Sequence, residues 1–252
     1  MDSFWSARLQ AHWATQPLAA IANLVLPHAS DDSHTSLVWS VEQKALLLQP
    51  ASQGRSFQAG LRIDDLTLLF LGDGGEVIDS CPLLTRTLAD TYAFCQRTIQ
   101  SLTGIRESLI PPKEGPPPHA VEHGAPFDAT AASLQKLGGL YADAHAILEQ
   151  VRAAHDAREP VRCWPHHFDI GTLIEREGGP TIGAGMQPGD ESYEKPYYYV
   201  NASPAPGRSD LQPLRRGFWN TEGWIGAVFF AEEGETTDAR DFLENAIAIL
   251  EK

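Results

Sequence analysis

Between Pro111 and Phe127 the chain carries Pro111-Pro112, Pro116-Pro117-Pro118 and two histidines, His119 and His123. Each proline fixes φ and lacks a backbone donor, so this stretch cannot continue a helix or fill a central strand. It divides the chain into an N-terminal half (1–110), a proline-rich linker (111–127) and a C-terminal half (128–252). Any fold for this chain must be assembled from what lies on either side.

Both sides show the same order of elements. Phe4, Trp5, Leu9 and Trp13 form one apolar stripe, and Leu18, Ile21, Leu24 and Val25 a second after Pro17, which predicts a helical opening with a break. Short β-prone runs follow at 34–39, 44–49, 57–63, 66–71 and 76–80, separated by Pro50, Gly54, Asp64-Asp65 and the turn Gly72-Asp73-Gly74-Gly75. That is the turn chemistry of an antiparallel meander. Leu84, Leu88, Tyr92, Cys95, Ile99 and Leu102 then share one helical stripe that Gly104 can end.

The second half repeats the order. Leu134, Leu137, Tyr141, Ala144, Leu148 and Val151 predict a long helix, weakened at Gly138-Gly139; strands are expected at 161–175, 181–184, 196–202 and 223–230. A last amphipathic helix carries Phe242, Leu243, Ala246, Ile247 and Leu250, with Thr237 or Asp238 as its cap. The expected fold is α+β, two similar halves, each a mostly antiparallel sheet backed by helices.

Composition narrows the partners. A chain of 252 residues with 42% hydrophobic content can bury a core without metal or disulfides. A net charge of −14 argues against nucleic acid and anionic membrane, whose binding relies on clustered Lys and Arg. No apolar run reaches the ~18 residues of a membrane span, and the start Met1-Asp2-Ser3-Phe4-Trp5 lacks the basic region and apolar core of a signal peptide. Cys81, Cys95 and Cys163 are odd in number and form no CxxC pair, which fits a reducing cytoplasm; Cys81 and Cys95 read as small core fillers, and Cys163 stays a secondary candidate beside the histidine pair.

The densest chemistry is Cys163-Trp164-Pro165-His166-His167-Phe168-Asp169. On a strand His167 and Asp169 share one face, where Asp169 can orient His167 as a general base, or both can ligate a divalent metal as part of a facial triad. The third ligand would come from His34, His28 or His166. His28 and His34 flank Asp31 and Asp32 on a loop entering a strand. The structural alternative is that these residues bond neighbouring backbone groups.

Further candidates line the later strands. Tyr197, Tyr199 and Asn201 share one face of a strand and offer rings with polar tips to a small-molecule ligand. Gly183 to Glu191 reads as a glycine-rich turn without a phosphate-binding lysine, on which Asp190 can reach a ligand. Trp219 and Glu222 stand at the entry to the last strand, and Glu222 with Asp169 would make a pair of carboxylates for acid and base roles. No nucleophile elbow or HExxH pattern is present.

Over 160–230, the W-P-H-H-F-D run, the turn Gln187-Pro188-Gly189-Asp190, the strand Pro196 to Val200 and the run from Phe218-Trp219 into Gly226-Ala227-Val228 resemble a bacterial family of unknown function. That family shares a W-x-x-x-F-D strand and a P-G turn. The resemblance implies a bacterial cytoplasmic protein and carries no mechanism. The leading expectation is a soluble protein, binding module or enzyme, that holds a polar small molecule between His167, His166, Asp169 and aromatic residues. A metal-dependent hydrolase or oxygenase and a non-catalytic interaction module are the alternatives; the sequence leaves the oligomeric state open.

Overall fold

Ser3–Val25 form a single helix, α1, in the computed structural model, which describes every residue except Met1, Asp2, Gln53 and Lys252. The expected break does not occur. Pro17 sits inside the helix and removes the N–H that would meet Trp13 O. One turn earlier the His12 carbonyl takes bonds from Thr15 Oγ1 at 2.7 Å and Gln16 Nε2 at 3.2 Å. Nor is α1 striped: every residue from Ala7 to Ala22 is buried. A helix enclosed on all sides must pair most of its polar groups internally, and Gln10, Thr15 and Gln16 do so.

Part of that enclosure comes from the proline-rich stretch. Trp13 Nε1 donates to Pro117 O at 3.1 Å, and Ser6 Oγ lies 3.1 Å from His119 Nε2. Gln10 donates to Asp128 Oδ1 at 2.7 Å while its carbonyl accepts the Asp128 and Ala129 amides at 2.8 and 3.0 Å. Prolines present carbonyls without competing donors, so the segment covers a helix well, and Val121 and Phe127 are buried within it. Segment 111–127 thus lies against α1 at Pro117 and His119, with Pro116, Val121 and Phe127 buried and most of its other residues exposed.

The meander follows as its turns require: β1 (Val38–Ser40), β2 (Ala45–Leu47), β3 (Gln58–Arg62), β4 (Thr67–Leu71) and β5 (Val77–Pro82) pair antiparallel in sequence order. Ala45, Leu47, Leu69 and Leu71 form one buried cluster on it. Helix α2 (Leu88–Thr103) packs on β5 and α1. Thr87 and Asp90 cap its start reciprocally, and Gly104 ends it in a left-handed conformation with φ 77°.

Helix α3 spans Ala131–Ala154. Gly138 within it faces the Asp64 side chain, whose Oδ1 would lie 1.9 Å from an added Cβ and would have to swing aside. The remaining strands are β6 (Arg162–Cys163), β7 (Ile170–Ile174), β8 (Thr181–Gln187), β9 (Tyr197–Ser203), β10 (Phe218–Asn220) and β11 (Gly226–Phe230). They form a six-stranded sheet in the order β10-β11-β9-β8-β7-β6. Helix α4 (Thr236–Leu250) packs on β8, β9 and β11, with Phe242 stacked on Phe229 at 5.5 Å. Its N-cap is Glu235, not Thr237 or Asp238; Asp238 accepts the Glu235 amide at 3.1 Å from the third helical position.

The class is α+β, with two sheet-and-helix halves. The division between compact units does not follow the proline-rich segment. One unit comprises residues 1–139 and 163–168, the other 140–162 and 169–252.

Candidate functional site

The run from Trp164 to Phe168 is a turn, which corrects the expectation of a continuous strand over 161–175. Pro165 has no donor for a ladder, and the His167 and Phe168 amides bond back to Trp164 O at 3.0 and 2.6 Å. Phe168 adopts φ 58°. The alternation that put His167 and Asp169 on one strand face is therefore absent. His166 and His167 are exposed side by side, ring centroids 4.1 Å apart, and belong with Phe168 to the first unit, whereas Asp169 opens the second.

The turn aims its own backbone at α1. Pro165 O accepts His12 Nε2 at 2.8 Å and Gln16 Nε2 at 2.9 Å, and the fully buried Phe168 ring stacks on His12 at 4.9 Å and 9°. A carbonyl can only accept, so His12 carries its proton on Nε2 and its lone pair on Nδ1. Nδ1 is buried with no hydrogen-bond partner among the described residues. Burial pulls the His12 pKa down to about 3, and the charges of Arg8, His167 and His166 push the same way. His12 is neutral at all physiological pH values. Arg8, also buried, lies over the Trp5 ring at 4.1 Å.

The second unit presents a different surface. Along β9, Tyr198 and Val200 point to the α4 face, where Tyr198 is opposite Phe229. Tyr197, Tyr199 and Asn201 point to the other. There the cross-strand partners on β8 are Gln187, Gly185 and Gly183, and Gly171 on β7 is paired with Gly185. Small residues let the side chains lie flat. A Cβ on Gly185 would come within 2.5 Å of Tyr199 Cζ, and one on Gly183 within 2.5 Å of Asn201 Oδ1. The Tyr199 ring crosses the glycines and its hydroxyl donates to Asp169 Oδ2 at 2.5 Å.

A second phenol–carboxylate pair stands beside the first. Tyr197 OH donates to Asp190 Oδ2 at 2.6 Å, with the Tyr197 and Tyr199 rings 6.4 Å apart. The Asp190 Oδ1 atom accepts the Ser192 and Tyr193 amides at 2.8 and 3.0 Å, which fixes the carboxylate by a local turn. Tyr193 packs edge-on to Tyr197 at 5.2 Å and to Phe230 at 5.4 Å, and donates to Asn220 Oδ1 at 2.9 Å. Burial raises the Tyr197 pKa, aided by the bond to Asp190 and the charges of Asp190 and Asp169. Tyr193 is raised by burial and by Asp190 and Glu222. These phenols stay protonated donors.

Of the sequence candidates, Asp169, Tyr199, Tyr197 and Asp190 come together on this face. Glu222 lies apart from them, contributing only a charge that helps burial and Asp190 raise the Tyr193 pKa. Trp219 donates its indole N–H to Gln212 O at 2.7 Å, holding a loop. His34 lies buried in the first unit, donating from Nε2 to Asn23 Oδ1 at 2.8 Å and accepting the Ala29 amide on Nδ1 at 3.3 Å. Burial and the adjacent His28 hold its pKa below the ordinary imidazole value. The glycine-rich stretch is not a turn from Gly183; β8 continues through Gln187.

Sequence reasoning missed His12, Tyr193 and Asn220. His12 sits among mixed polar and apolar helix residues and has no spacing signal. The platform did have one: Gly183-x-Gly185 and Tyr199-x-Asn201 are complementary small and large alternations on strands expected to be neighbours. No family model matches this chain, and neither does any curated protein or solved structure. Among the described residues no helix is long and apolar enough to cross a membrane.

Proposed function

We propose that the second unit binds a polar small molecule on the sheet face that carries Asp169, Tyr199, Tyr197 and Asp190. The observation that supports this reading is the Tyr199 ring laid over Gly185 with its hydroxyl on Asp169, beside the matching Tyr197–Asp190 pair. A core would fill that space with aliphatic side chains; here three glycines keep it open for rings and acceptors. Tyr199 and Asn201 are half-buried, and Leu173 at the edge of the same face is exposed.

The chemistry of the lining sets the ligand class. Carboxylates accept several hydrogen bonds each, and tyrosine faces attract cations and the C–H faces of sugars. Ligands rich in hydroxyl or ammonium donors suit such a surface, and anions do not. In thermal-shift and calorimetric screens of polyols and amines, a ligand should bind the wild type and lose at least about tenfold affinity in Asp169→Asn and Tyr199→Phe, the cost of one hydrogen bond to charge. A ligand set indifferent to both substitutions would remove this face as the site.

A further inference from the structure

We propose that His28, Asp32 and His34, on the loop between α1 and β1, form a binding site for a zinc-class divalent cation. Two imidazoles and one carboxylate are the donor set that zinc and its neighbours in the first transition row accept, and with only three protein ligands the metal keeps a position open to water. One potential ligand atom from each residue lies within 4.8 Å of the other two. His28 Nε2 is 3.9 Å from Asp32 Oδ1, and the His28 and His34 rings are 4.7 Å apart between centroids.

Backbone structure holds the three residues in this arrangement. The Asp32 amide bonds to Ala29 O at 3.0 Å, and Asp32 O takes the Thr35 amide and Thr35 Oγ1, both at 2.9 Å. Asp32 itself adopts φ 57°, which aspartate tolerates better than most residues. The loop therefore doubles back, bringing His28 beside His34 across six positions.

His34 has the features of an oriented ligand. Its Nε2–H is spent on Asn23 Oδ1 at 2.8 Å, which fixes the tautomer with the lone pair on Nδ1. Metal-bound histidines characteristically donate their other nitrogen to an oxygen acceptor in this way. On Nδ1 the present contact is the long one, 3.3 Å from the Ala29 amide. Ligand atoms around a tetrahedral zinc lie about 3.3 Å apart, given bonds of about 2.0–2.1 Å. Rotation of His28 and Asp32 about their side-chain torsions can supply the remaining closure, since their side chains are 73% and 65% exposed.

The test is zinc titration of chelator-stripped full-length protein, by calorimetry and by competition with a chromophoric chelator. The wild type should take up one zinc, and His28→Ala and Asp32→Asn should each weaken it by about tenfold or more, as loss of a ligand or its support does. Both side chains are exposed, so these variants keep the wild-type circular dichroism, and His167→Ala should bind zinc as the wild type does. Absence of binding in the wild type overturns the site. So does zinc that binds equally well in His28→Ala and Asp32→Asn, or that is lost in His167→Ala instead.

Discussion

Phe168 and Asp169 are neighbours in the chain and belong to different kinds of surroundings. In the turn Trp164–Phe168 the Pro165 carbonyl is turned inward and serves two side chains of α1, and Phe168 seals the neutral His12, while His166 and His167 are exposed. On the face that begins at Asp169, polarity is paired but only half-covered, and the backbone beneath is glycine. The first arrangement is closed; the second pairs phenols with carboxylates over glycine, with Tyr199 and Asn201 partly exposed and Tyr197 buried. A run of residues dense in chemistry is therefore not one site, because a turn within it separates the side chains that serve the core from those that serve a surface.

The contrast breaks most directly at Phe168. Phe168→Ala should destabilise the protein by about 3–5 kcal/mol in urea unfolding, the range for a fully buried aromatic. A loss under about 1 kcal/mol would mean that the turn does not seal the helix.

His12 makes the same point through pH. Its folded pKa of about 3 lies below the free value of 6.5, so between those limits the unfolded chain takes up a proton that the folded chain refuses. The stability it confers is complete above pH 6.5 and is lost as pH falls towards 3, by about 1.4 kcal/mol per unit over the window. His12→Gln keeps a donor for Pro165 O and should flatten this dependence, as measured by unfolding at pH 7, 6 and 5. An unchanged slope would assign the acid sensitivity to other groups.

On the open face the expected effects are smaller. Gly185→Ala drives a methyl into the Tyr199 ring and should cost about 1–3 kcal/mol by overpacking, with weakened ligand binding. Tyr199→Phe removes only the hydroxyl bonded to Asp169 and should cost about 1.5 kcal/mol or less, given its partial exposure. If Tyr199→Phe destabilised as much as Phe168→Ala, the two regions would not differ in kind. Thermal unfolding of the variants side by side decides this.

Much of the fold was legible. The meander followed its turns, α2 ended at Gly104 and α4 carried its stripe, since these depend on local propensity and periodicity. The errors arose where distant partners override local rules. Pro17 reads as a break until the enclosed turn before it, with side chains bonded to the His12 carbonyl, is seen. Segment 111–127 reads as a linker because irregular backbone gives no periodic signal even when it is packed. The glycines of β8 read as a turn because their reason, the ring of Tyr199, lies on another strand.

The candidate site divides the same way. Tyr197 and Tyr199 stood out by residue type and by the two-residue period of a strand, and Asp169 and Asp190 by residue type beside strands and turns, which are properties of the chain alone. Their pairing was not, because the bond from Tyr199 to Asp169 spans thirty positions and depends on the register of β7, β8 and β9. By itself the sequence determined the elements, their class and the residues with chemical potential, all through short-range sterics and hydrophobic period. Tertiary structure alone decided which imidazole is buried, which carboxylate meets which phenol and where the chain turns from core to surface, since burial and hydrogen-bond partners are set by contacts between residues far apart in the chain.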